Sequence, residues 1–388
     1  MNEYFSVSIF GPRQCGKTTL AKTLFPSFSY ANLEDMNVRS LAKNDPEEFF
    51  TRFPEPVIID EIQRVPELLS TVQVRIDKNQ KKGQYLITGS QQISLKSSIT
   101  QSLAGRTAIV QMLPLSISEL YSANIKLDRD SQLVSGFMPF LYAESGHSPF
   151  EYYKNYVNTY LERDIVQIAA VHDLIRFEKF MRLLAGRVGQ LVNNSILATE
   201  VGVSSTTISS WLSVLEASHV IYTLKPWFKN RNSQVVKTPK IYFCDTGLVS
   251  YLLGIETPEQ MIRDPLLGNI FENFVVIEAL KTRLNLGLEP NLYFFRNSNG
   301  LEIDLILQEQ NKLKLFEIKS GKSLNDEFCR NMKNFSAKYN EDIVSDSTKG
   351  TVIYSGETYE SYKDFGFYNF SNIPQLFESK TSTFRLNF

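Results

Sequence analysis

Gly11-Pro-Arg-Gln-Cys-Gly-Lys-Thr18 fits the phosphate-loop pattern G-x-x-x-x-G-K-[ST] at every fixed position, and the rest of the chain is read outward from it. Ahead of it, Tyr4-Phe-Ser-Val-Ser-Ile-Phe10 alternates and is β-branched enough for a buried strand. Behind it, Thr19-Leu-Ala-Lys-Thr-Leu-Phe25 has the spacing of a helix that stops at Pro26. Gly11 and Gly16 let successive N–H groups turn toward one set of phosphate oxygens, and the helix dipole adds positive potential there. Gly11, Pro12, Arg13, Gln14, Cys15, Gly16, Lys17, Thr18 and Thr19 are the expected ATP-binding residues. Lys17 is expected to neutralise the β- and γ-phosphates and the Thr18 hydroxyl to hold Mg²⁺.

Further along, Pro56-Val-Ile-Ile-Asp-Glu-Ile-Gln63 reads as a strand buried on both faces that delivers paired acids at its C-terminal edge, the Walker B form. Asp60 is expected to bind Mg²⁺ through water and Glu61 to polarise the attacking water. Gln84-Tyr-Leu-Ile-Thr-Gly-Ser90 is another strand, ending in small polar groups. Ser90 is the candidate sensor of the γ-phosphate and Thr88 the reserve, against an ordinary Thr-Gly-Ser turn. Arg106 precedes the apolar strand that starts at Ala108, and it reads equally as a surface residue or as an arginine finger acting across a subunit boundary.

With 388 residues, of which 21% are charged and 43% hydrophobic, the chain suits two to four globular domains. A net charge of −1 gives no global attraction to nucleic acid or membrane, so any basic surface is local. Cys15, Cys244 and Cys329, with His147, His172 and His219, are scattered, which argues against a disulfide framework or a zinc site. No apolar run reaches membrane-spanning length and the start has no signal-peptide pattern, so a cytoplasmic location is expected.

The combination GPRQCGKTTL, VIIDEIQ, YLITGSQQ, SLAGR and LPLSISEL resembles the AAA-type ATPases of the archaeal-ATPase group, near the signal-transducing STAND branch. YLERDI, KIYFCDTGL, GNIFENFVV and LEIDLIL extend the likeness to bacterial and archaeal members with a C-terminal domain of unknown function. The resemblance implies ATP binding and hydrolysis, homo-oligomers formed through the ATPase domain, and a C-terminal region similar to restriction endonucleases. Members usually carry some tens of residues before the first strand, so a truncated start is an open expectation and the adenine contacts are unread. Gly136-Phe-Met-Pro139 stands where relatives often show a Gly-Gly-x-Pro lid motif.

In the middle of the chain, Phe150 to Ile165 is amphipathic, and its tyrosines read as packing groups. Ser195 to Ala217 reads as helix-turn-helix: Ala198 is small where helices cross, Gly202 takes the turn, and Ser204 caps a second helix with Ile208, Trp211, Leu212 and Leu215 on its apolar face. The segments Val220–Arg231 and Gln234–Phe243 read as the strands of a wing. From Gly186 to Lys240, six basic residues (Arg187, Lys225, Lys229, Arg231, Lys237, Lys240) outnumber two acidic ones (Glu200, Glu216), which suits phosphate contacts. Ser205, Thr206, Thr207 and Ser209 on the second helix do not suit base reading, leaving binding to double-stranded DNA without sequence specificity or a structural role.

In the last domain, Asp304 on one strand and Glu317-Ile-Lys319 on the next form the acid, then acid-x-Lys arrangement of the PD-(D/E)XK nuclease fold. Period two puts Glu317 and Lys319 on one face. Asp304 and Glu317 are the expected Mg²⁺ ligands, Lys319 the group that orients water, and Glu272 from a preceding helix the completion of the metal shell. The fold class read from the sequence is α/β and multidomain: a P-loop NTPase with helices on both faces of a parallel sheet (1–122), a helical lid (123–185), a winged helix (186–245) and a restriction-endonuclease-like domain (246–388). The expected function is ATP hydrolysis coupled to a nuclease-like module acting on DNA, with ATP, ADP and Mg²⁺ as ligands. The alternative is a signalling ATPase whose C-terminal module binds a protein and cuts nothing.

Overall fold

The structure, a computed structural model, describes residues 1, 3–90, 102–144, 146–159, 173–229, 236–310, 312–339 and 349–378. The expectations for Tyr160 to Ile165, for His172, for Arg231 and for the glutamines after Ser90 lie outside the described residues. The chain divides into two compact units, Met1–Pro114 with Ala217–His219, and Leu115–Glu216 with Val220–Phe388. No helix among the described residues is long and apolar enough to cross a membrane.

The first unit is built on five strands: β1 (Ser6–Phe10), β2 (Ser29–Asn32), β3 (Val57–Asp60), β4 (Tyr85–Gly89) and β5 (Thr107–Gln111). They lie in the order β2-β3-β4-β1-β5 and every pairing is parallel. Alternation along the strands feeds two cores. Val57, Ile59, Tyr85 and Ile87 pack with Leu68, Leu69, Val72 and Ile76 of the helix Leu68–Asn79, whereas Val7, Ile9, Ile58 and Leu86 pack with Ala21 of the helix Lys17–Leu24. The sheet is thus covered by helices on both faces, the architecture of a P-loop NTPase. Because all five strands run the same way, Gly11, Asp60 and Ser90 emerge at one edge. Arg106 leads into β5 at the other edge, where its carbonyl accepts from Ser6 N at 3.1 Å.

In the second unit, Asn193 caps the helix Asn194–Val201, Gly202 turns the chain at φ 85°, and Ser204 Oγ accepts from Thr207 N at 3.0 Å. The following helix, Ser205–Ala217, buries Ile208, Trp211, Val214 and Leu215, and Trp211 sits 5.2 Å from the rings of both Phe177 and Phe180. The helix-turn-helix pair is therefore present. The strands expected to form its wing pair with each other and also extend a larger sheet. β6 (Ile221–Pro226) pairs antiparallel with β7 (Lys240–Phe243) and parallel with β8 (Leu292–Arg296). Trp227 explains the difference. Its indole is buried with Phe295 and Phe335, and the Trp227 backbone N–H donates to the Phe294 carbonyl at 2.7 Å, so the segment after β6 is held by the C-terminal core.

β9 (Glu302–Glu309), β10 (Lys312–Lys319), β11 (Thr351–Tyr354), β12 (Tyr359–Tyr362) and β13 (Phe365–Asn369) complete an eight-stranded sheet ordered β12-β13-β11-β10-β9-β8-β6-β7. Hydrogen bonding thus runs across position 245, where the sequence reading drew a boundary. Residues 115–122, read as part of the ATPase domain, are tied into the second unit: Leu115 N donates to Phe137 O at 3.0 Å, Lys281 Nζ to Leu115 O at 2.8 Å, and Ile117 N to Glu278 Oε2 at 2.8 Å.

Candidate functional site

The edge of the parallel sheet carries the first site. Gly11 leaves β1 so close to the β5 exit that an added Cβ would lie 1.9 Å from the Met112 carbonyl oxygen, and Gly16 turns at φ 96° to start the helix Lys17–Leu24. Lys17 is buried, and its ammonium donates to the carbonyls of Gly11 at 3.0 Å and Pro12 at 2.7 Å, which aims it into the loop. Cys15 is fully buried beside it, and burial pushes its thiol up. Arg13 pairs with Glu34 at 3.6 Å; Arg39 and Arg64 reach the same carboxylate at 3.5 and 2.8 Å, so basic charge collects beside the loop.

Asp60 ends β3 with its carboxylate buried. Thr18 Oγ1 donates to it at 3.0 and 3.1 Å, Tyr30 OH at 2.7 Å, and Thr88 Oγ1 closes the set. A hydroxyl and a carboxylate touching at the start of a phosphate-loop helix are an oxygen pair suited to Mg²⁺. Glu61 follows in the left-handed region at φ 59°, and its backbone N–H donates to Thr88 Oγ1 at 3.3 Å. Its carboxylate accepts from Gln63 Nε2 and, at 3.4 Å, from Ser90 Oγ, while Gln63 Nε2 also donates to Ser90 at 2.9 Å. Because β4 lies between β1 and β3, the structure brings Lys17, Thr18, Asp60, Glu61, Thr88 and Ser90 together. It does not bring Arg106 to them: Arg106 pairs with Asp77 at 2.7 and 3.0 Å at the opposite edge.

Tyr30 and Gln63 were missed in the sequence. Their signal is positional, since Tyr30 lies on a strand paired with β3 and Gln63 lies two residues beyond the Walker B acid.

A second cluster lies on the C-terminal sheet. Asp304 stands where the β9–β10 ladder ends, and its carboxylate takes the Ile318 N–H at 2.9 Å. Lys319 reaches both Glu317 at 2.8 Å and Asp304 at 3.6 Å. Glu317 is buried, and its Oε2 has no hydrogen-bond partner among the described residues. Burial, then the charge of Asp304, raise the Glu317 carboxyl to about 8 despite Lys319. An orphaned, buried carboxylate oxygen beside a second carboxylate fits a divalent cation.

Glu272, on the helix Leu267–Asn285, faces the same cluster but is engaged elsewhere. Lys240 Nζ donates to it at 2.9 Å and Tyr242 OH at 2.6 Å. Burial raises the Glu272 carboxyl. Lys240 also pairs with Glu302 at 2.7 Å; burial pulls its ammonium down, but the surrounding carboxylates outweigh that and hold it protonated. Among the described residues, no three groups of the metal-ligating types converge as a ligand set. Lys240 was counted in the sequence as basic surface, but its side chain is 4% exposed, and Arg187 from the same tally is paired with Glu200.

Residues 4–121 match the family described as AAA domain, residues 127–259 the domain of unknown function DUF8612, and residues 267–376 the domain of unknown function DUF4143. Fold and phosphate loop together define an AAA-type P-loop ATPase domain followed by a further α/β region. The chain is 33% identical over 315 residues to the uncharacterized proteins Rv2008c of Mycobacterium tuberculosis and Mb2031c of Mycobacterium bovis, covering 81% of this chain and 70% of each of those. It belongs to their family. An uncharacterized protein of Haemophilus influenzae is 26% identical over 241 residues, 58% of this chain and 57% of that one. A Walker-type ATPase of Pyrococcus abyssi superposes with a TM-score of 0.38 at 14% identity, covering 64% of this chain and 91% of that one.

The raised Glu317 carboxyl has a consequence for stability. Between the ordinary glutamate value of 4.5 and about 8, the folded chain holds a proton on Glu317 that the unfolded chain has lost. The Glu317 contribution to stability therefore declines as pH rises through that window. Thermal melts at pH 5 to 9 are expected to show Glu317→Gln gaining on wild type as pH rises, and a pH-independent difference between the two would refute the buried-carboxyl account.

Proposed function

We propose that this protein binds ATP with Mg²⁺ and hydrolyses it at the edge of the parallel sheet. The observation that carries the reading is the hydrogen bond of the Thr18 hydroxyl to the Asp60 carboxylate beside the glycine loop. In this reading the loop N–H groups and Lys17 hold the β- and γ-phosphates, and Thr18 and Asp60 hold the Mg²⁺, which supplies charge neutralisation. Glu61 accepts the proton of the attacking water, with Gln63 and Ser90 fixing its carboxylate. Arg106 points away from its own nucleotide edge, so its use as a finger requires another copy of the chain, and a homo-oligomer is part of the proposal. Lys17→Ala is expected to abolish ATP turnover. Glu61→Gln should keep nucleotide binding and slow hydrolysis by about 10²- to 10⁴-fold; turnover at the wild-type rate in that variant would remove Glu61 from the role.

A second activity is supported by the orphaned oxygen of Glu317 beside Asp304 and Lys319. We infer a nuclease-like centre in which Asp304 and Glu317 hold a divalent cation, Lys319 orients water, and the target is a phosphodiester of double-stranded DNA. The exposed Ser205, Thr206 and Ser209 on the helix Ser205–Ala217 suit contacts without sequence reading. Nicking of plasmid DNA in Mg²⁺, assayed with and without ATP, is expected for the wild type and lost in Asp304→Asn and Glu317→Gln. Nicking that survives both substitutions contradicts the centre, and its absence from the wild type favours a protein-binding role.

A further inference from the structure

The carboxylates around the C-terminal sheet exceed what one cation at Asp304 and Glu317 needs, and a buried lysine from outside the acid-x-Lys motif reaches both of the others, Arg296 lying 3.5 Å from the second Glu302 oxygen. Lys240 opens β7, and its buried ammonium lies 2.9 Å from Glu272 Oε1 and 2.7 Å from Glu302 Oε1. Tyr242, on the same strand face, donates to the same Glu272 oxygen at 2.6 Å. The strand that carries both is fixed by its backbone. Gly189 N donates to Ile241 O at 2.9 Å, Leu191 bridges to Lys240, and β6 pairs along its length. At the other end of the cluster, Lys319 occupies Glu317 Oε1 while Glu317 Oε2 stays buried without a partner among the described residues. The two ends thus differ in kind: one is closed by an internal cation, and the other keeps a carboxylate oxygen to spare.

We propose that Lys240 is a built-in cation that closes the Glu272–Glu302 end, so that the centre takes one divalent cation, at Asp304 and Glu317, rather than two. The inference rests on the reading of Asp304 and Glu317 as a cation-binding pair. Its physical basis is direct competition. A hard divalent ion needs carboxylate oxygens at about 2.0–2.6 Å, and Glu272 Oε1 already accepts from an ammonium and a phenol. Glu272, expected from the sequence to complete the metal shell, is withheld from it by Lys240. Lys240 acts here as a positioning residue, and it ties the strand that follows the helix-turn-helix to the acidic centre.

Mn²⁺ titration calorimetry on the full nucleotide-free chain tests this in an Asp60→Asn, Glu61→Gln background, which removes both carboxylates of the ATP site. The parent is expected to bind one Mn²⁺, Lys240→Met two, and Lys240→Met with Glu272→Gln one again. The parent count judges the Asp304–Glu317 reading, and zero there refutes it. The gain on Lys240→Met judges the inference, and no gain refutes it whatever the parent count. Should Lys240→Met fail to fold, Lys240→Met with Glu302→Gln removes one charge of each sign and leaves Glu272 free. Two bound ions are expected in that chain, and one would overturn the role given to Lys240.

Discussion

A single buried carboxylate organises the first unit. Asp60 takes hydroxyl donors from Thr18 at the start of the loop helix, Tyr30 on β2 and Thr88 on β4, so three elements meet at one group. A charged carboxylate out of water is costly unless its lone pairs are answered. The answer depends on the strand order: β4 lies between β1 and β3, which brings Thr88 to one side of Asp60, and the parallel register of β2 with β3 brings Tyr30 to the other. What holds these strands is apolar burial on both faces. The polar edge is therefore a consequence of the packed middle.

The second unit reaches the same end by different means. Its acidic cluster is held mainly by charge, through Lys240 and Lys319, with one hydroxyl, that of Tyr242, added at Glu272. Breaking a buried pair on one side strands the other charge, at a cost of about 3–5 kcal/mol. The cluster therefore rests on the register of β9 with β10 and on the sheet contacts of β7, which carry its two lysines and three of its acids. Strand residues that look like the wing of a nucleic-acid-binding motif are here the outer part of the eight-stranded sheet.

How much of this is legible in the sequence depends on the range of the interactions. The phosphate loop and the β3 acids are legible because local spacing sets their geometry, and Ser90 is singled out as a small polar residue ending an apolar strand, where it contacts Gln63 and Glu61. Asp304, Glu317 and Lys319 are singled out by an acid followed by acid-x-Lys, with period two placing Glu317 and Lys319 on one face, and Lys319 reaches both acids. Lys240 was not, because its partners Glu272 and Glu302 lie 32 and 62 residues away and nothing local distinguishes a buried lysine from a surface one. The pairing of the two expected wing strands is present, but their place in a larger sheet is not legible, because Trp227 is buried by residues of β8 and beyond, which no local pattern reveals. Arg106 was ambiguous because its edge of the sheet follows only from the direction of β5.

The account turns on Thr18 and Asp60 acting together on a metal–nucleotide complex. The most direct measurement is the affinity for a non-hydrolysable ATP analogue with and without Mg²⁺, in wild type and in Thr18→Val, which keeps the side-chain shape and loses the hydroxyl. Wild type is predicted to bind more tightly with Mg²⁺, and Thr18→Val to lose about tenfold of that gain, the worth of a hydrogen bond to a charged group. An equal Mg²⁺ gain in both proteins would contradict the account.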